Sequence, residues 1–385
     1  VARILILALG IGSPGGWRHL EGFVPALSER AGRHRFDLMS QASGVDVLRG
    51  AAGAAVRVVP VADGVARSVV PRLVLDLVLV PLRALLRGYD LVVTLANFGP
   101  VWCPVPHVVF QRNVMPFSEE YLGRVRGRQR IEWRFRGWLC YGEMRFATFN
   151  VTPSEAMAGD IRRAYPSLRR KPFRVLFHAT DLSRFGPRDT SGEARSDPFV
   201  FLCPTRVEVY KGLDVLIEAT RRLAEARDDF TVQVTADDTG WPDTIQQAID
   251  GARHEPFFER LHFLGPQSPD RMPDVYRAAD AVVHPSLCES FGFPLLEAMA
   301  CGLPIVAGDM EINRELGRDA ALYYELTSAA ACADAMRRVL DDPACRDRLR
   351  ASALARIRER DWSWDAYAAR FVELCEAALA PRSSG

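Results

Sequence analysis

Residues 281–297 read Ala281-Val282-Val283-His284-Pro285-Ser286-Leu287-Cys288-Glu289-Ser290-Phe291-Gly292-Phe293-Pro294-Leu295-Leu296-Glu297. Four apolar-leaning residues of strand length run into a turn marked by Gly292 and Pro294, and a helical pattern follows. Two carboxylates eight positions apart bracket that turn. Glu289 falls in the loop and Glu297 on the opening helix, so both can face one cleft. Ser290 to Phe293 offer backbone N–H groups at a helix start, an arrangement suited to phosphate. Glu297 is placed to accept hydrogen bonds from a ribose diol; the plain alternative is a first-turn acid complementing the helix dipole.

Outward from this stretch the same rhythm repeats. Phe199–Cys203, Phe230–Val234, Leu261–Leu264, Ala281–His284 and Pro304–Ala307 read as short strands separated by helical spacing. Ile4–Leu9, Leu91–Leu95, Val108–Gln111, Phe149–Thr152 and Arg174–Phe177 do the same in the first half. Strand–helix alternation of this kind predicts parallel sheets, and 385 residues exceed what one core serves. The expectation is an α/β protein of two Rossmann-like domains, 1–186 and 199–363, joined by a Gly-, Ser-, Asp- and Arg-rich linker at 187–198. The apolar residues of Trp364–Ala380 recur at helical spacing and fit either domain.

Just after the first strand of the second half stand Arg206 and Lys211-Gly212. Two cations five residues apart at the C-terminal end of a strand can converge on one anion, as a diphosphate leaving group requires. Lys171 and Lys211 are the two lysines among 49 basic residues. Where arginine has replaced most solvated cations, a retained lysine suits a point contact to phosphate. The first half holds Gly10-x-Gly12-x-x-Gly15 with a further Gly16, after a strand and before a helix. This formally matches a dinucleotide fingerprint, although Asp37 lies inside the second strand rather than at its end. A tight strand-to-helix turn explains the glycines equally well, as does close backbone approach to a diphosphate or sugar by Gly15 and Gly16.

Taken together, these residues resemble the retaining glycosyltransferases of family four (glycosyl transferases group 1), which have the GT-B fold. The resemblance runs through His262 to Pro266, Tyr276 to Asp280, Pro285-Ser286, Glu289 to Glu297, Ala298 to Gly302 and Pro304. It also takes in Arg206 to Gly212, Val151 to Glu155, Thr180-Asp181 with Phe185, Glu315 to Tyr324, and the helix from Trp364. It is close in the second half and loose before residue 148. It implies two domains about a deep cleft, the first for the acceptor and the second for a nucleoside diphosphate-sugar, UDP- or GDP-linked. The C-terminal helix 364–380 would cross back to complete the first domain. By position, Arg206 and Lys211 would stabilise the diphosphate, Glu289 would hold donor-sugar hydroxyls and Glu297 the ribose. Gly15, Gly16, Ser290, Phe291, Gly292 and Phe293 would line the donor site. No cofactor and no metal are implied, because the two cations replace the divalent ion; Asp237-Asp238 then reads as a surface turn. Gln111 stands where many relatives have a histidine, and His178-Ala179 where they have Asn-Gly or His-Gly; Gln111, Asn113 and His178 are candidate acceptor or donor-sugar contacts.

The rest of the sequence narrows the field. A net charge of +1 and a pI near 7.7 lack the basic excess that nucleic acid binding requires. Eight cysteines without a C-x-x-C pair read as buried, reduced thiols. With no leader-like segment in the sequence, a cytoplasmic protein is expected. Val69–Leu86 is the most apolar stretch, but Arg72, Asp76, Pro81 and Arg83 make a buried helix or helix pair the expectation. Six arginines at 124–136 interleave with Trp133, Phe135 and Trp138. They suggest weak membrane-surface association, against which Ile131, Phe135, Trp138 and Leu139 can form one core-facing stripe. Two rival functions stay open: a nicotinamide-dependent oxidoreductase built on the glycine fingerprint, and a non-catalytic nucleotide-sugar-binding partner. Acceptor and oligomeric state leave no local signature.

Overall fold

The computed structural model describes residues 1–11, 14–95, 97–187 and 197–380. The chain divides into two units, the first of residues 1–118, 127–180 and 362–385, the second of 119–126 and 181–361. The change thus falls before the expected boundary at 187. Residues 119–126 group with the second unit, where Arg124 Nη1 donates to Asp214 Oδ2 at 2.9 Å. Most of the expected linker, 188–196, lies outside the described residues.

The first unit is a seven-stranded parallel sheet in the order β3-β2-β1-β4-β5-β6-β7. Its strands are β1 Arg3–Leu7, β2 Arg35–Gln41, β3 Val56–Val61, β4 Leu91–Thr94, β5 His107–Phe110, β6 Phe149–Thr152 and β7 Phe173–Val175. The second unit is a six-stranded parallel sheet, β10-β9-β8-β11-β12-β13. It is built from β8 Phe199–Cys203, β9 Phe230–Val234, β10 Leu261–Phe263, β11 Ala281–His284, β12 Ile305–Gly308 and β13 Ala321–Tyr324. In each sheet the chain winds outward one way and then returns to wind the other way. The reversal lies between β1 and β4 in the first unit and between β8 and β11 in the second. Open parallel sheets form their ligand crevices at the strand C-termini beside such reversals.

Strand alternation divides the first core. Ile4, Ile6 and Ala8 face one side, where Phe23, Leu27 and Phe371 are buried with them. Leu5 and Leu7 face the other, against Leu75, Val80, Ala84 and Val92. The C-terminal helix Trp364–Leu379 belongs to this unit: Phe371 packs on Phe23 at 4.9 Å between ring centroids and on Phe110 at 5.5 Å. Gly22 lets the helix seat, since a Cβ there would lie 2.2 Å from Trp364 Cε2. In the second unit Phe199, Phe201 and Cys203 pack with Leu213, Leu216 and Val232.

Two expectations fail on this first unit. Val69–Leu86 is not buried: helices Val69–Val74 and Val80–Leu86, joined by a π-helical turn, expose Val70, Val78, Leu85 and Leu86 to 56–72%. Leu75, Asp76, Val80, Pro81 and Ala84 alone anchor the segment. Nor does the stripe on helix Gly127–Phe146 face the core, because Ile131, Phe135 and Trp138 are 50–70% exposed. That helix is anchored instead through Gly137, Cys140, Glu143 and Met144. Seven cysteines are buried thiols and Cys103 is partly exposed.

Candidate functional site

Both loops that leave the reversal point of the second sheet carry residues singled out above. The loop after β8 ends at Gly212, which caps helix Leu213–Ala224 with φ +65°. A Cβ at this position would lie 2.0 Å from the carbonyl oxygen of Pro285, in the loop after β11. Only glycine permits that approach together with that φ. The N–H of Leu287 donates to Tyr210 O at 2.8 Å and fastens the same junction.

The junction brings Lys211 and Glu289 together. Lys211 Nζ donates to Glu289 Oε1 at 2.6 Å, with the two side chains 9% and 12% exposed. Burial pushes the ammonium pKa down, but the Glu289 charge outweighs it and leaves Lys211 above its ordinary value. Burial pushes the Glu289 carboxyl up, and Lys211 followed by His284 brings it below the carboxylate range. His284 Nε2 lies 3.5 Å from the same Oε1; burial takes its pKa down to about 4, so it meets the carboxylate as a neutral ring. Arg206 is 67% exposed, and its Nη2 donates to the hydroxyl of Tyr210 at 3.3 Å. The Tyr210 ring also lies under Lys211 Nζ, 5.1 Å from the centroid, so this tyrosine links the two cations. The sequence reading passed over it.

On the other side of the junction Gly292, at φ +98°, caps helix Phe293–Ala300. The first N–H groups of a helix lack carbonyl partners within it and favour an anion. Phe291 is buried, Phe293 is exposed, and their rings meet edge to face at 5.2 Å. Ser290 is partly exposed beside Glu289. Glu297 Oε2 accepts from the hydroxyl of Tyr276 at 2.8 Å, and that ring is wholly buried. Glu297 is therefore a positioned carboxylate rather than a loose first-turn acid. Of the expected residues, this region gathers Arg206, Lys211, Glu289, Ser290, Phe291, Gly292, Phe293 and Glu297. Asp238 of the expected surface turn pairs with Arg253. Among the described residues no group of three His, Cys, Asp or Glu side chains is placed to hold a metal ion.

Gly15, Gly16, Gln111, Asn113 and His178 lie in the first unit. Gly15 and Gly16 are in the first turn of helix Pro14–Arg30, while Gly12 falls outside the described residues. Asp37 is engaged by Arg3, Arg57 and the Tyr89 hydroxyl, and these partners hold its carboxyl below its usual range against burial. At the end of β2, Gln41 Nε2 donates to Leu9 O and Ile11 O at 3.0 and 3.3 Å, bracing the glycine loop. A dinucleotide site needs an acid there.

After β5, the backbone is organised by Asn97, a residue the sequence reading missed. At φ +60°, a conformation asparagine tolerates, its Oδ1 accepts from the N–H of Arg112 at 2.6 Å and of Asn113 at 3.2 Å. The Asn97 carbonyl accepts from Gln111 Nε2 at 3.4 Å and Cys140 Sγ at 3.2 Å. His178, after β7, meets His19 edge to face at 5.5 Å. Burial and then Arg112 hold both rings well below the ordinary histidine value. Arg112 is itself partly buried, and among the described residues no carboxylate pairs with its guanidinium. It is a second residue that the sequence reading missed.

Residues 189–356 match the family model described as glycosyl transferases group 1. The D-inositol 3-phosphate glycosyltransferase of Actinosynnema mirum is 34% identical over 204 residues, 50% of this chain and 48% of that protein. The Nocardia farcinica protein of the same name is 35% identical over 221 residues, 53% and 47%. The chain thus spans about half the length of the curated relatives it matches. Among solved structures, a glycosyltransferase from Rickettsia africae aligns over 100% of this chain and 99% of its own, at TM-score 0.72 and 15% identity. HepE of Anabaena, solved with UDP-glucose, aligns over 98% and 100% at TM-score 0.71 and 18% identity. The match over residues 189–356 holds the whole Lys211–Glu297 constellation, so this part of the chain is similar to the glycosyl transferases group 1, and the two parallel α/β units have the GT-B fold of the solved structures.

Proposed function

We propose that the protein moves a sugar from a nucleoside diphosphate-sugar to an acceptor hydroxyl, with retention at the anomeric carbon. The observation that supports this most is the Lys211–Glu289 pair, set between two glycine-capped helix starts at the reversal of the second sheet. In this reading Arg206 and Lys211 neutralise the diphosphate as the bond from its terminal oxygen to the anomeric carbon breaks. The acceptor oxygen attacks from the same face, and the departing phosphate oxygen takes its proton. Glu289 holds donor-sugar hydroxyls rather than attacking: its depressed carboxyl and its bond to Lys211 fit a fixed acceptor of hydrogen bonds. Glu297, steadied by Tyr276, takes the ribose diol. Ser290, Phe291, Gly292 and Phe293 line the donor, and Gly15 and Gly16 are the first unit's candidate donor contacts. Gln111, Asn113 and His178 serve the reacting sugar or the acceptor.

Two fixed cations supply the charge that a divalent ion would otherwise bring, so we expect activity without a metal or other cofactor. A UDP-linked donor is the first to test, since UDP and UDP-glucose occupy HepE, and a GDP-linked one the second. The acceptor carries an anionic group in our reading, because Arg112 is a partly buried cation lacking a carboxylate partner among the described residues. Inositol 3-phosphate, named in the relatives, is the first acceptor to try. We place the reaction in the cytoplasm.

The test is incubation of the purified chain with UDP- and GDP-sugars and a panel of phosphorylated and neutral acceptors, with and without a chelator. Product anomeric configuration is read by NMR. Tight donor binding without transfer to any acceptor, and without slow donor hydrolysis, would replace this reading with a nucleotide-sugar-binding partner.

A further inference from the structure

The first unit carries an apolar surface that the proposed reaction does not use. From Val69 to Leu86, nine aliphatic side chains stand 46–72% exposed: Val69, Val70, Val74, Leu77, Val78, Leu79, Leu82, Leu85 and Leu86. Isolated exposed leucines are ordinary, but nine exposed aliphatic side chains on one short segment are not. The helix Gly127–Phe146 adds Ile131, Phe135 and Trp138, with the last two rings stacked at 6.0 Å, and the loop after β4 adds Trp102 at 63%.

These pieces cover one face of the sheet. Leu75, Val80 and Ala84 pack on the side of Leu7 and Val92. His107 is the register partner of Val92 and so points the same way, and its Nε2 lies 3.5 Å from Glu143 of helix Gly127–Phe146. Arg72 Nη2 donates to Phe98 O in the intervening loop at 3.0 Å. The patch is therefore one surface contributed by three segments.

Its charge selects the occupant. Arg128, Arg130 and Arg134 project from the exposed half of the long helix, and no ion pair involves them among the described residues. The acids of these segments are already committed: Asp76 pairs with Arg72, Glu132 with Arg136, and Glu143 is buried. A second copy docked on this face by two-fold symmetry would set like cations against one another. A free apolar protein partner would leave the arginines unanswered. An apolar strip with interfacial tryptophans and unpaired arginines is complementary to acyl chains beneath anionic headgroups. No described helix is long and apolar enough to cross a membrane, so the contact would be one of lying on the surface.

We infer that the face formed by residues 69–86, Trp102 and 128–138 docks the protein on anionic phospholipid bilayers. The experiment is flotation of the full chain with vesicles of phosphatidylcholine alone or mixed with phosphatidylglycerol. It is repeated at 0.15 M and 0.5 M salt, roughly 8 Å and under 5 Å of screening length. Binding at least ~10-fold stronger to the anionic vesicles, weakened by salt, is expected. The double variant Val78→Asp, Leu85→Asp and the triple variant Arg128→Glu, Arg130→Glu, Arg134→Glu should each lose about that factor; these exposed positions leave the fold intact.

Quenching of tryptophan fluorescence by brominated lipid gives a readout on the unmutated chain, and the quenching should fall in Trp102→Phe, Trp138→Phe. Absence of flotation with both vesicle types overturns the inference. So does equal, salt-independent binding to both, and so does a concentration-dependent dimer, seen by light scattering, that Leu85→Asp dissolves. None of these readouts involves turnover, so failure here leaves the proposed reaction standing.

Discussion

Arg206 and Lys211 share one assigned task but sit in opposite environments, and that contrast separates chemistry from stability. Lys211 is buried against Glu289, so Lys211→Ala leaves a buried carboxylate unpaired, at a cost of about 3–5 kcal/mol to the fold. Arg206 is two-thirds exposed with one hydrogen bond to Tyr210, so Arg206→Ala should leave the melting temperature within a degree or two. Transfer at saturating donor should nevertheless fall about 10²-fold or more, as when a transition-state hydrogen-bond donor is removed. Unchanged turnover removes Arg206 from the chemistry. Glu297→Ala should weaken nucleoside diphosphate binding by about 1.5–3 kcal/mol in titration calorimetry. Tyr276→Phe, which removes only the positioning hydroxyl, should cost less. Arg112 gives the reverse signature to Lys211. Replacing an uncompensated, partly buried cation by methionine should leave the protein as stable or more so. Arg112→Met should at the same time raise KM for a phosphorylated acceptor about tenfold or more while KM for the donor stays put. Equal KM values for phosphorylated and neutral acceptors in the parent protein would show that the guanidinium serves something else.

Among the elements, the junction of the two loops after β8 and β11 carries the site, and its weak point is Gly212. Gly212→Ala meets two penalties: a left-handed backbone, about 1–2 kcal/mol for a residue with a Cβ, and an overlap with Pro285 O that backbone must relieve. Gly240 is the internal control. At φ +81° with nothing within 4 Å of a built Cβ, Gly240→Ala incurs only the first penalty. Thermal unfolding should therefore show a larger loss for Gly212→Ala. Nucleoside diphosphate binding should fall with it, because Lys211 and Glu289 are held by that contact. Comparable losses for the two alanines would mean that the loops adjust freely. This junction was partly legible in the sequence. The spacing of strand, glycine and helix located Lys211 and Glu289, since backbone periodicity leaves a local trace. Their ion pair spans 78 positions and leaves none. Asn97 and Arg112 were illegible for the same reason: what makes Asn97 matter is a positive φ and two amides from another loop. The apolar segments were misread for a different reason. A helical stripe states that one face differs from the other, and periodicity alone assigned Ile131, Phe135 and Trp138 to the core when the anchoring side of that helix is Gly137, Cys140, Glu143 and Met144. Edge strands such as β3 and β13 also escaped notice; in β3, Pro60 reads against a strand.

Over the whole molecule, acid should be the condition the fold tolerates least, because both units bury histidines in neutral form. His19, His107 and His178 in the first unit and His284 in the second are all depressed by burial, His107 to about 3 and His284 to about 4. In the unfolded chain these rings titrate near 6.5. Below that value the unfolded state binds protons that the folded state refuses, so stability drops as pH falls from about 6.5 toward the folded values. Each ring that stays neutral withholds about 1.4 kcal/mol per pH unit in that window. Two carboxyls oppose the trend. Asp76 is raised to about 6 by burial against the pull of Arg72, and Glu143 is raised well above its ordinary value, again chiefly by burial. Their folded forms keep a proton that the unfolded forms release, so acidification relieves them, Asp76 from about 6 downward, and offsets part of the histidine loss. Four groups against two leaves a net loss: the melting temperature should be several degrees lower at pH 5 than at pH 7. His284→Asn and His107→Asn should each flatten the acid limb. A melting temperature at pH 5 equal to that at pH 7.5, read by scanning calorimetry on the parent chain, would mean that the buried imidazoles take up protons in the folded state. The neutral ring beside Glu289 would then be a third cation after Lys211 and Arg206, and the donor site would gain positive charge as pH falls.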